Sequence, residues 1–176
     1  NIPLFSTVKN YQLYQFLLLS LKKNKLCVFK KNKKFEESDI KNYSLIINCD
    51  SQNNLSKKFF FKKLIKRYDS YAYTTIIKHK KISNNIAYQI FTKRGPLAFL
   101  PISETETSIV YSIKGNQKIN LNKFIERYNN KYSIINFGRV AYFKLQALNL
   151  RSYYFKNILA FGDMLHKLHP LAGQGF

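Results

Sequence analysis

The residues best suited to holding a cofactor crowd one end of the chain: Gly162-Asp163, His166, His169-Pro170 and the run Leu171-Ala172-Gly173-Gln174-Gly175-Phe176. Gly162 follows the apolar run NILAF at 157–161, where a residue without a Cβ lets backbone approach a ligand closely. Asp163 can accept hydrogen bonds from a polyol, or cap a following helix. His166 and His169 beside Asp163 raise a metal site, but the spacing fits no established ligand set and a third firm ligand is missing, so no metal is expected. Gly173, Gln174 and Gly175 make a turn whose backbone amides can face a ring or a phosphate oxygen. No nucleophile–base pair accompanies them, so the segment reads as a surface for chemistry carried by a bound group, not as a hydrolase site. A second acid, Asp50, closes the apolar run SLIINCD at 44–50, the position near the carboxyl edge of an α/β sheet where ligands commonly bind.

The elements expected to position these residues follow from periodicity. Leu13, Phe16, Leu17 and Leu21 stand at helical spacing within 10–22, with Asn10 as a plausible cap, and this helix is expected to pack on a sheet. KLCVF at 25–29 reads as a short strand, and a charged connection over 30–43 leads to the strand at 44–50. LSKKFFFKKLIKRY at 55–68 is expected to be a helix, with Phe60, Phe61, Leu64 and Ile65 sharing one face. Strands rich in β-branched and aromatic residues are expected at 71–81, 85–94, 97–102 and 106–113, punctuated by Ser83-Asn84-Asn85 and Gly95-Pro96. A short helix at 121–130 and strands near 133–136, 139–146 and 157–161 complete one α/β unit of mixed α+β type with a large sheet.

Composition bounds the partners without naming one. The chain of 176 residues is long enough for a sizeable core, and its 45% hydrophobic content argues against disorder. A formal charge of +21 attracts polyanions, yet abundant Lys, Asn, Ile, Tyr and Phe with no Trp is also what an AT-rich coding sequence produces. Neither a nucleic-acid motif nor an ordered basic stripe is present, so specific nucleic-acid binding is not expected; weak attraction to anionic lipid is. Cys27 and Cys49 in apolar surroundings fit a reducing compartment, and no signal peptide or membrane-length apolar run is visible.

FGDMLHKLHPLAGQGF, residues 161–176, resembles the C-terminal flavin motif of the class A flavoprotein aromatic monooxygenases, in their ubiquinone-biosynthesis hydroxylase branch. KNYQLYQFLLLSL is similar to the family's Asn-containing helix and IINCDS to its Asp-Gly motif region. IAYQIFTKRGPLAFLPIS and ETSIVYS are similar to its central sheet, so the landmarks run in order over nearly the whole chain. The resemblance implies an incomplete Rossmann-like FAD-binding domain from residues 1–69 and 150–176, and a mixed or antiparallel substrate-binding sheet domain from 70–149. It implies FAD as cofactor, NAD(P)H as reductant, O2 as co-substrate, and transfer of one oxygen from a flavin hydroperoxide to the ring of a polyprenylated phenolic ubiquinone precursor. Another aromatic substrate or a noncatalytic homologue is one alternative; a basic nucleic-acid- or membrane-binding module, resting on the +21 charge and the aromatic-rich strands, is the other.

On this resemblance Gly162 and Asp163 contact the ribityl–pyrophosphate part of FAD. Pro170, Leu171 and Ala172 lie near the flavin ring, with Gly173, Gln174 and Gly175 in backbone contact. Asp50 matches the acid of the second cofactor motif. The implied location is cytoplasmic, peripheral at the inner face of the membrane, in or beside a ubiquinone-biosynthesis complex.

The departures are specific. The G-x-G-x-x-G fingerprint is absent, and the chain opens on Asn1, so a piece of a longer protein, itself a poor catalyst, is expected. Ser51 stands where the family has Gly after the acid, which threatens a backbone needing positive φ. Met164 and Leu165 replace two alanines and threaten to crowd the cofactor, and Lys144 replaces a proline.

Overall fold

The structure, a computed structural model, describes residues 6–30, 35–115 and 119–167. His169, Pro170, Leu171, Ala172, Gly173, Gln174 and Gly175 lie outside them. The chain divides into two compact units, one within Asn1–Phe29 and Ser70–Lys144, the other within Lys30–Asp69 and Leu145–Phe176. Two strands, β2 (Lys63–His79) and β7 (Ala141–Leu150), run from one into the other, and β2 carries Asp69 at φ 46 where it crosses.

The first unit is built on an antiparallel meander. Strands β3 (Tyr88–Thr92), β4 (Gly95–Pro101) and β5 (Glu106–Lys114) pair in order, and β2 pairs with β5 from Ser70↔Lys114 to Lys78↔Glu106. Strand β6 (Ile134–Phe137) joins β2 at Ile77 to His79. Alternation dictates the faces: Thr107, Ile109, Tyr111 and Ile113 of β5 are buried while Ser108, Val110 and Ser112 are only half-buried. Onto the buried face packs α3 (Leu121–Tyr128), whose Leu121 and Ile125 are one turn apart and whose Asn120 side chain caps Lys123 N at 3.2 Å. Gly95 is required where β3 turns into β4: its φ is +142, and a Cβ there would stand 2.0 Å from Ser112 O.

The second unit joins a small parallel pair to a hairpin. Strands β1 (Ile46–Asn48) and β9 (Ile158–Ala160) run parallel, and β8 (Tyr154–Phe155) turns back on β9. Leu55, Phe60, Leu150, Ile158, Ala160 and Met164 form its core, and Phe59 stacks on Phe155 at 4.2 Å. Asn157 Nδ2 donates to the carbonyls of Ile40 (3.1 Å) and Tyr43 (2.6 Å), tying the 3₁₀ turn Glu37–Asn42 to the β8–β9 turn. The mixed α/β class is as the sequence reads.

Four local expectations fail. The helix over 55–68 shrinks to α2 (Asn54–Phe59), and Lys63 onward is strand. The repeated basic-pair and apolar-block pattern satisfies either period, and the pairing partners of β2 decide it. KLCVF at 25–29 forms no strand, and Leu26 is 92% exposed. Beyond Asp163 no helix is found among the described residues: a 3₁₀ turn, Gly162–Met164, leads to β10 (His166–Lys167), which pairs with Asn149 and Leu148 of β7. His166 is therefore an exposed strand residue. Helix α1 (Asn10–Lys23) forms as expected, but Lys9 occupies the cap position and no residue of α1 is buried, so the packing on a sheet is not realised.

Candidate functional site

The parallel pairing of β1 and β9 decides where the site lies. Ile46, Ile47 and Asn48 stand opposite Ile158, Leu159 and Ala160, and Phe161 N extends the ladder by donating to Asn48 O at 2.9 Å. Because the two strands run the same way, the loops leaving their carboxyl ends emerge at one edge. There the structure brings Asp50 together with Gly162 and Asp163. This is the carboxyl edge, where open α/β sheets bind ligands.

Each loop has its own closure. Asp50 N donates to Asn48 Oδ1 at 3.2 Å, and Asp50 Oδ1 accepts from Gln52 N at 2.8 Å, an Asx turn that leaves the carboxylate exposed at the rim. Ser51 does not have positive φ, so the glycine expected there is not needed for this turn. Gly162 does, at φ +65, and a Cβ on it would meet nothing within 4 Å. Leu165 N closes the turn on Gly162 O at 2.9 Å and leaves Asp163 exposed. Met164 points into the core, 1% exposed, so its extra bulk is absorbed by packing.

Three further side chains build the site and were not singled out from sequence. Asn48, 4% exposed, accepts from Asn53 Nδ2 at 2.7 Å and donates to Ser56 Oγ at 2.9 Å. Asn53 Oδ1 caps α2 through Ser56 N at 2.8 Å. Ser56 Oγ donates to Asp50 O and lies 3.3 Å from Met164 Sδ. The available signal was the Asn53-x-x-Ser56 spacing just ahead of an apolar run, a helix-start pattern. Beside this cluster opens a cavity of about 640 Å³, lined among the described residues by Phe35, Glu36, Ile47, Asn48, Asp50, Asn54 and others.

The remaining ionisable candidates are occupied or scattered. His79 is buried; its Nδ1 donates to Lys80 O at 2.9 Å and its Nε2 accepts from the Thr107 hydroxyl at 3.0 Å, which serves the fold of the first unit. Among the described residues no three His, Cys, Asp or Glu side chains gather as a metal site. Cys27 and Cys49 are free thiols, and Cys49 is exposed.

No family model matches the chain. In sequence it is similar to the ubiquinone biosynthesis monooxygenase COQ6 (mitochondrial) of Caenorhabditis elegans. The two are 26% identical over 196 aligned residues, which cover 81% of this chain and 42% of the relative. The zebrafish (Danio rerio) protein of the same name is 25% identical, over 74% of this chain and 36% of its own length. In structure it superposes on RebC-10x with a TM-score of 0.63 and 10% identity, covering 74% of this chain and 28% of that one. It also superposes on the myxobacterial FAD-dependent halogenase CndH at TM-score 0.58 and 14% identity, covering 75% and 35%. The fold is that of the FAD-dependent monooxygenases and halogenases. The chain spans about two fifths of the curated relatives it matches.

The residues present fit one part of such a cofactor. Open space at Gly162 admits a ligand against the backbone, and the exposed carboxylates of Asp50 and Asp163 are acceptors suited to hydroxyl groups.

Proposed function

We propose that this chain is part of an FAD-dependent monooxygenase that hydroxylates the aromatic ring of a polyprenylated ubiquinone precursor, with NAD(P)H as reductant and O2 as oxidant. The observation that carries the reading is the parallel β1–β9 pair with Asp50 and Gly162-Asp163 at one carboxyl edge, in a chain similar to COQ6 proteins. Bound FAD supplies the redox chemistry and oxygen activation. The chain's own residues bind and orient: Asp50 and Asp163 accept hydrogen bonds from polyol hydroxyls, and Gly162 lets the backbone close on them. The ribityl–pyrophosphate part is assigned to the Gly162-Asp163 turn on the sequence resemblance. Pro170, Leu171 and Ala172 are assigned to the ring edge, with Gly173, Gln174 and Gly175 in backbone contact, on the sequence resemblance alone.

The sheet face formed by Ala72, Thr74, Ala98, Val110, Ser108 and Ser112 is assigned to the substrate ring. These side chains are small, Ile76 and Leu100 beside Ser108 bound the same face, and the opposite face is filled by α3. Helix α1 is assigned to the core of the longer protein. Tyr11, Tyr14, Phe16, Leu17, Leu19 and Leu21 are exposed on all sides of it, whereas a lipid-surface helix keeps a polar face. Peripheral attraction to an anionic membrane is assigned to the excess of lysine. Among the described residues no helix is long and apolar enough to cross a membrane.

The test is oxidation of NAD(P)H by the longer protein containing this chain, with a prenylated phenol as substrate. The reading requires substrate-stimulated reductant consumption and a hydroxylated ring by mass spectrometry. Reductant consumption indifferent to any aromatic, with no oxygenated product, would overturn it.

A further inference from the structure

We propose that Asn48 and Ser56 are positioning residues that lock Asp50 and the Gly162–Asp163 turn into one frame, so that neither loop moves without the other. The cofactor held by that frame rests on the function proposed above; the frame itself does not. Asn48 sits at the last position of β1, and its backbone and side chain serve different loops. Its carbonyl accepts from Phe161 N at 2.9 Å and so fixes the residue before Gly162. Its side-chain Oδ1 accepts from Asp50 N at 3.2 Å and from Asn53 Nδ2 at 2.7 Å. Its Nδ2 donates to Ser56 Oγ at 2.9 Å and reaches Asn53 Oδ1 at 3.4 Å. Both lone-pair sites and both protons of the amide are therefore used, and the amide orientation follows from its partners.

Ser56 completes the frame from the α2 side. It is fully buried, so its one hydroxyl proton and its lone pairs must be satisfied inside the protein. The proton goes to Asp50 O, and a lone pair accepts from Asn48 Nδ2. The same oxygen lies 3.3 Å from the sulfur of Met164, the residue directly after Asp163. Thus Asp50 is held at its N–H by Asn48 and at its C=O by Ser56, while the Gly162 turn is held at Phe161 N from one side and at Met164 from the other. A buried polar cluster of this kind costs more when partly broken than when whole, so removal of one member frees both loops together.

The experiment measures backbone amide exchange in the 176-residue chain and in the variants Ser56→Ala and Asn53→Ser. Ser56→Ala is expected to speed exchange at least tenfold at Asp50, Gln52 and Phe161 alike. Leu150 N and Arg151 N, bonded to Leu165 O and Lys62 O in the same unit, should stay within about twofold of wild type. Asn53→Ser keeps a cap for α2 and breaks only the link to Asn48; it should speed Asp50 and Phe161 by a smaller common factor, and it serves if Ser56→Ala does not fold. Acceleration at Asp50 and Gln52 with Phe161 unchanged would overturn the proposal, as would acceleration spread equally to Leu150 and Arg151. In the longer protein the same Ser56→Ala change should raise the FAD Kd at least tenfold. Coupled exchange in a protein that takes up no flavin sustains the frame and sinks the flavin reading, so the two failures are separable.

Discussion

Replacing Gly162 with alanine separates the cost of a backbone conformation from the cost of losing a ligand. At φ +65 an L-residue with a Cβ loses about 1 to 2 kcal/mol relative to glycine. A Cβ there meets nothing within 4 Å, so no steric penalty adds to that figure in the free protein. For a chain of this size each kcal/mol moves Tm by about 2 to 4 °C, so the expected fall is about 2 to 8 °C by calorimetry. Gly162→Asn, whose side chain tolerates the left-handed region, should fall by less. In the FAD-bound longer protein the same methyl occupies the space assigned to the cofactor, and the FAD Kd, read from flavin fluorescence, should rise more than tenfold. Each tenfold corresponds to about 1.4 kcal/mol. A Tm loss above about 15 °C would show that the space is not open. An unchanged Kd in Gly162→Ala would show that no cofactor closes on this backbone.

Gly95→Ala should abolish folding of the first unit, because its Cβ would overlap Ser112 O at 2.0 Å between β4 and β5; retained far-ultraviolet circular dichroism and a cooperative melt would contradict this. Tyr88→Phe should leave stability equal or raise it by about 1 kcal/mol in urea melts, since the Tyr88 hydroxyl is buried without a hydrogen-bond partner. The same variant should blunt alkaline denaturation. Burial, with the neighbouring Tyr132, raises the folded Tyr88 pKa above its ordinary 10.0, so its contribution is complete below pH 10 and is lost as pH climbs from there toward the folded value. A steeper alkaline limb in Tyr88→Phe would refute that assignment. Finally, the chain alone should bind an apolar dye through α1, and Leu17→Lys with Leu21→Lys should reduce the signal by at least half; no change would place the dye elsewhere.

The sheet of the first unit was legible because β5 states its own periodicity. Thr107, Ile109, Tyr111 and Ile113 alternate with Ser108, Val110 and Ser112, and only a strand puts the first set on one face. The stretch 55–68 was not legible, since Phe60, Phe61, Leu64 and Ile65 suit a helix face as well as a strand start, and the choice lies with β7, the neighbour of β2 distant in sequence. Helix α1 was legible as a helix but not as an uncovered one, because apolar spacing says what a face wants and not what it meets. At the site, Asp50, Gly162 and Asp163 stood out as chemical types at apolar strand ends, whereas their meeting depends on the parallel pairing of β1 with β9, which no local pattern encodes. Asn48 and Ser56 were silent for the same reason: a buried Asn or Ser acquires its role only from the partners that tertiary structure supplies.

The central claim, that Asp50 and Gly162-Asp163 form one half of a flavin cradle, is tested most directly by flavin stoichiometry. The longer protein should emerge from gel filtration with close to one FAD per chain by absorbance, and Asp163→Ala and Asp50→Ala should each lose most of it while keeping the wild-type circular dichroism. Full retention of FAD by the folded double variant, or no FAD in the wild type after reconstitution, would contradict the account.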